Sequence, residues 1–95
     1  MAENEKELVR FVPTLQYFVK TYAMGGPGND QKALKTYMMF ESQEKVRRLQ
    51  SELHWVKNNQ VDETVLKSCV GANRAGKYGS FSNWASLALM WISNK

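Results

Sequence analysis

Ninety-five residues with 13 Lys and Arg against nine Asp and Glu carry a formal charge of +4, enough chain for one hydrophobic core and only moderately basic. The single cysteine, Cys69, excludes an internal disulfide or a cysteine-based zinc site, and reads as a small buried hydrophobe in a reducing compartment. The longest apolar stretch, Trp84 to Ile92 broken only by Ser86, is far short of the roughly 20 residues that span a bilayer, and the acidic start is the reverse of a secretory signal, so the expected location is cytoplasmic.

Residues 1–7 form an acidic arm with Glu3, Glu5 and Glu7. Leu8, Phe11, Leu15, Phe18 and Tyr22 then repeat at three- and four-residue steps, with Val12 and Val19 widening the stripe, which predicts an amphipathic helix. Pro13 would clash with the carbonyl of Val9 inside a helix, so that helix is expected to kink or to restart with Pro13 in its first turn.

Gly25-Gly26-Pro27-Gly28 turns the chain, and Asn29 or Asp30 is placed to cap a long second helix. Leu34, Tyr37, Met38, Val46, Leu49, Leu53 and Val56 supply its apolar spacing, with a bend expected near Ser42. Its polar side pairs Glu41 with Lys45 and Glu44 with Arg48, and a solvated, salt-bridged face accounts for these carboxylates and for Glu52 without acid-base chemistry. His54, flanked by Leu53, Trp55 and Val56, reads as a helix-edge residue.

Asn58-Asn59 ends that helix, and Asp62 reads as the N-cap of another, with Val61 before it and Leu66 inside it as a hydrophobic staple. Gly71 to Gly79, with three glycines, reads as a loop, after which Ser80 or Ser82 caps a last helix through Trp91 or Ile92. That helix is apolar all round, so it must sit centrally or be covered by a partner. Nothing alternates with period two over a strand's length. The expected fold is all-α, one domain over residues 1–95, a compact bundle of four to five helices with the N-terminal helix kinked or broken at Pro13.

The chemistry-bearing candidates are few. Gly71-Ala72-Asn73-Arg74-Ala75-Gly76-Lys77 fits the first seven positions of the phosphate-cradling pattern G-x-x-x-x-G-K-[ST], but Tyr78 stands where a small hydroxyl should reach magnesium, and the chain has no room for the accompanying parallel sheet. No catalytic site, cofactor site or metal site is legible, and no small-molecule substrate is evident. From Thr64 to Lys95 the chain has no Asp or Glu, so Lys67, Arg74 and Lys77, with Tyr78 for stacking, are candidate contacts to an anion or to RNA or DNA. Charge reversal at Arg74 or Lys77 would then abolish that binding. A helix-turn-helix is disfavoured, since the nine-residue connection is too long and the last helix offers no Arg, Lys or Gln for base edges.

The second cluster is apolar. Tyr37, Met38, Met39 and Phe40 are contiguous, and successive helix residues point about 100° apart, so part of that patch must face outward. Together with Trp55 and Trp91 it is the candidate protein-binding surface. The leading expectation is a small non-enzymatic protein-protein interaction module, an adaptor, regulator or inhibitor that self-associates as a homodimer. The alternative is a nucleic-acid-binding helical protein that uses the basic, acid-free C-terminal third.

Overall fold

The computed structural model describes residues 11–24 and 26–93. The acidic arm, Leu8 and Lys95 lie outside the described residues. Among those described, the chain forms α1 (Pro13–Tyr22), a 3-10 turn (Pro27–Asn29), α2 (Asp30–Phe40), α3 (Gln43–Lys57), α4 (Glu63–Cys69), α5 (Ala72–Tyr78) and α6 (Phe81–Ser93). The class is all-α, with six α-helices and no strand among the described residues, rather than four or five helices.

Both additional helices have a local cause. The bend expected near Ser42 is a complete break: Glu41 is extended (ψ 157°), and the Ser42 hydroxyl accepts a hydrogen bond from the Lys45 amide at 3.2 Å, so serine starts a new helix instead of continuing the old one. The Gly71 to Gly79 stretch is not a loop but α5. Gly71 and Gly79, both at φ +94°, turn the chain at either end, while Ala72, Arg74 and Ala75 keep helical geometry between them. A Cβ at Gly79 would also press on the Asn83 amide nitrogen at 3.2 Å.

α1 starts at Pro13, the first-turn position at which proline costs no hydrogen bond. Phe11 therefore lies ahead of the helix and is exposed, not part of its apolar stripe. The residue before the helix is Val12, which has no capping side chain. Its role passes to Glu52 of α3: the Leu15 amide donates to one carboxylate oxygen at 2.6 Å and the Thr14 amide to the other at 3.2 Å. Glu52 is only 5 % exposed, so its place on a solvated face is corrected to a buried cap held across the bundle.

The Asn58-Asn59 stop closes α3 in a Schellman turn. Asn59 is left-handed (φ 61°), its amide donates to the Val56 carbonyl, and the Gln60 amide donates to Trp55. Asp62 caps α4 through the Thr64 amide at 2.9 Å, with Val61 and Leu66 both in the core. Ser80, the first of the two candidate serines, caps α6 through the Asn83 amide at 3.0 Å, whereas Ser82 donates to the Lys57 carbonyl at 2.6 Å and ties the start of α6 to the end of α3.

α6 occupies the centre. It packs against α2, α3 and α5, and Phe81, Trp84, Ala85, Ala88, Leu89 and Ile92 enter the core; Asn83, Met90 and Ser93 face solvent. The core also takes Leu15 and Phe18 from α1, Leu34 and Tyr37 from α2, and Leu49, Leu53 and Val56 from α3. α1 and α6 both run antiparallel to α3, as the contacts Leu15 to Glu52 and Ser82 to Lys57 show.

One polar cluster lies inside. Asp30, a candidate helix cap in sequence, is 1 % exposed and accepts from Arg74 Nε at 2.8 Å, Arg74 Nη2 at 2.7 Å and Trp84 Nε1 at 2.7 Å. The remaining Arg74 donors reach the carbonyls of Val70 and Ala23, each at 2.8 Å. One guanidinium thus joins the end of α1, the start of α2, the end of α4 and α5, with the α6 indole on the same carboxylate.

Candidate interaction groove

The break at Glu41 and Ser42 sets α2 and α3 at an angle, and the space between them is a cavity of about 690 Å³. Its α2 wall is Lys35, Met38 and Met39, on one face by the three- and four-residue spacing of a helix; its α3 wall is built the same way from Gln43, Val46, Arg47 and Gln50. Ile92 and Ser93 of α6 close one end. The contiguous patch divides as helix geometry demands. Tyr37 is fully buried, Met38 half-buried in the groove, and Met39 and Phe40 are 76 % and 73 % exposed.

Beside the groove, Glu41 is held by aromatic hydroxyls. Tyr17 and Tyr22 both donate to its Oε2, at 2.7 and 2.5 Å, and Lys45 Nζ lies 3.5 Å from Oε1. The two phenol hydrogen bonds hold its carboxyl below the ordinary 4.5, and the same bond to Glu41 raises the Tyr22 phenol. Lys45 Nζ also sits 5.1 Å from the Tyr17 ring centroid. Burial, with Glu41 nearby, pushes Tyr37 up to about 12. Its hydroxyl donates to the Lys45 carbonyl, and its ring meets Phe18 and Tyr22 edge-on at 5.5 and 5.4 Å. We expect Tyr22→Phe to move the Glu41 pKa back toward 4.5, read by carboxyl NMR titration; an unmoved pKa would mean that the phenol does not hold this carboxylate.

The cations lining the groove stand differently. Among the described residues neither Lys35 nor Arg47 has an ion-pair partner, whereas Lys45 pairs with Glu41 and Arg48 with Glu44. Gln43 and Gln50 add amides to the α3 wall. The groove thus combines methionine, valine and isoleucine surface with two amides and two cations.

The other candidates do not assemble with it. Trp55 is partly exposed toward the other end of α3. Trp91 is half-buried with its ring 6.4 Å from that of Tyr78, a contact between α6 and α5 rather than a free surface. Arg74, expected at an anion contact, has a side chain only 6 % exposed and satisfies Asp30 and two carbonyls, so no solvent-side ligand shares it. Lys67 is exposed, 4.0 Å from Glu63 of its own helix, and Lys77 lies 5.8 Å from the Tyr78 ring. With α5 helical, its interior amides are not presented as a phosphate cradle. Among the described residues no group of three His, Cys, Asp or Glu side chains converges on a common point, and no helix is long and apolar enough to cross a membrane.

Lys35 and Arg47 were missed in sequence because each is an ordinary surface cation until the Ser42 break faces one toward the other's helix. The spacing Lys35, Met38, Met39 was the available signal. Comparison of the chain with protein-family models, with curated proteins and with solved structures returned no significant match.

Proposed function

We propose that this is a non-enzymatic protein-binding module whose contact surface is the groove between α2 and α3 with Met39 and Phe40 at its side. The observation that carries this reading is the exposure of two large neighbouring apolar side chains, Met39 and Phe40, beside a cavity walled by Met38 and Val46. Scattered apolar residues on a surface need no explanation, but a contiguous patch flanking a concave, methionine-lined site is the form that partner recognition takes. The formal charge of +4 and the groove cations Lys35 and Arg47, without an ion-pair partner among the described residues, favour a heterologous partner over a second copy.

The nucleic-acid alternative has less support. Its central cation, Arg74, serves the interior, and Lys67 and Lys77 are left as the described exposed bases of that third. Fluorescence anisotropy of labelled single-stranded RNA at about 50 and 200 mM salt is expected to show no tight, steeply salt-dependent binding; micromolar binding that collapses between the two would restore the alternative.

The direct test uses Met39→Asp, which lies at an exposed site, with circular dichroism to verify that the variant is folded. Proteins captured from the source cells by the wild-type chain, then purified and rebound, are expected to lose about 2 kcal/mol, roughly thirtyfold in Kd, against this variant. A partner set that binds both chains equally would place the contact elsewhere.

A further inference from the structure

Resting on that reading, we propose that the groove takes an acidic amphipathic helix, its apolar ridge laid on Met38, Met39 and Val46 and its carboxylates directed at Lys35 and Arg47. The dimensions select the form. The α3 wall runs from Gln43 to Gln50, seven helical steps or about 10 Å at 1.5 Å per residue, which matches roughly two turns of a helical ligand with anchors at i, i+3 or i+4, and i+7. Addition of a strand is not available here, because the described residues offer no sheet edge.

Charge selects the composition. Glu41 is the carboxylate among the lining residues, and it is already engaged by two phenols and Lys45, with a side chain 10 % exposed. Lys35 and Arg47 have no such partner among the described residues, so a ligand carboxylate meets cations that give up no internal ion pair. A basic helix would meet the same two cations uncompensated. The lining also distinguishes a peptide from a polynucleotide. Among the described residues none of those lining the groove is aromatic, so its walls give unpaired bases no platform to stack on, whereas methionine, with three rotatable bonds, adapts to Leu, Ile or Phe ridges.

The test titrates the isotope-labelled full chain, by heteronuclear NMR, with a synthetic helix of about three turns that carries Leu at i, i+3, i+4 and i+7 and Glu on both flanks. A second peptide has Lys for every Glu, and a third has the acidic composition scrambled. The acidic amphipathic peptide is expected to shift the amides of Met38, Met39, Val46 and Arg47 saturably. Its affinity should fall about tenfold or more in Lys35→Glu/Arg47→Glu, which in turn gains affinity for the Lys peptide. Both positions are exposed, and unchanged circular dichroism verifies the fold. Equal groove binding of the Glu and Lys peptides, or of the scrambled one, overturns the acidic-helix inference and leaves the protein-binding reading intact. Failure of all three to move groove amides also overturns it, while the Met39→Asp capture experiment decides the broader reading independently. Single-stranded RNA moving the same amides more tightly than the acidic peptide would overturn both.

Discussion

Arg74→Ala is expected to cost about 3–5 kcal/mol, because it leaves an ionised, buried carboxylate without its counter-charge. Asp30 keeps only the Trp84 indole among its three donors, and the Ala23 and Val70 carbonyls lose theirs. For a chain of 95 residues, whose total stability is about 5–14 kcal/mol at the usual 0.05–0.15 kcal/mol per residue, that loss removes a large fraction of the folded margin. Urea denaturation monitored by tryptophan fluorescence gives the number. Arg74→Lys should fall between, since an ammonium keeps the charge but cannot present two parallel N–H groups to Asp30 together with bonds to both carbonyls. Trp84→Phe keeps most of the core volume and removes one donor, costing about 1–3 kcal/mol. Removing both charges, as Asp30→Asn with Arg74→Met, should cost less than the sum of the single changes, because neither partner is then left charged and alone. An Arg74→Ala chain within about 1 kcal/mol of wild type would show that Arg74 does not hold Asp30 inside the bundle. The same result bears on function. Charge reversal at Arg74 would unfold the chain before it reported on any ligand, so Lys77→Glu is the informative variant for phosphate contact.

Glu52 gives the second large effect. Glu52→Ala removes the acceptor of the Thr14 and Leu15 amides and is expected to cost about 1–3 kcal/mol and to loosen the first turn of α1, visible as faster amide exchange at those two positions. Its pH dependence has an unusual sign for a hydrogen-bonded carboxylate. Burial raises the Glu52 pKa above its ordinary 4.5, the two amide bonds opposing but not cancelling that shift. The folded chain then holds this proton more tightly than the unfolded chain, so the contribution of Glu52 is most favourable below 4.5 and declines as pH rises through the raised value. Glu41, lowered by its phenols, acts in the opposite sense: its contribution is present above 4.5 and is lost as pH falls through its depressed value. In Glu52→Gln one amide oxygen still accepts and nothing titrates, so the decline just above pH 4.5 should disappear from the stability profile. A profile unchanged by this substitution would show that Glu52 titrates as an ordinary exposed carboxylate.

Local signals carried much of the fold. Apolar spacing in residues 15–22, 34–38 and 46–56, the Asp62 cap with its Val61 and Leu66 staple, the Asn58-Asn59 stop and the Ser80 cap all correspond to observed elements, because each depends on residues within about two turns of one another. The bend at Ser42 was readable, but whether a serine bends or breaks a helix depends on the packing of the two halves. α5 was unreadable for a related reason. Three glycines in nine residues argue locally for a loop, and the helix persists because Arg74 at its centre is anchored 44 residues away at Asp30. The candidate site divides in the same way. Exposure of part of the Tyr37 to Phe40 run follows from helix geometry alone, whereas the concavity beside it, lined by Lys35 of one helix and Arg47 of the other, exists only once α2 and α3 are set at their angle.

By itself, the amino-acid sequence determined that this chain is helical, which positions cap and stop most of its helices, and that a methionine and aromatic run near residue 39 has an outward part. Those properties come from hydrophobic period and short-range hydrogen bonding, interactions of neighbours along the chain. Only the tertiary structure decided that Arg74 is internal, that Glu52 caps a helix 37 residues earlier, and that Glu41 is taken by two tyrosines while Lys35 and Arg47 remain free of carboxylate partners among the described residues. A charged side chain of the same type can face water or a buried opposite charge, and the choice rests on which distant group the packed helices bring within about 3 Å of it, a property of the assembled bundle rather than of any segment.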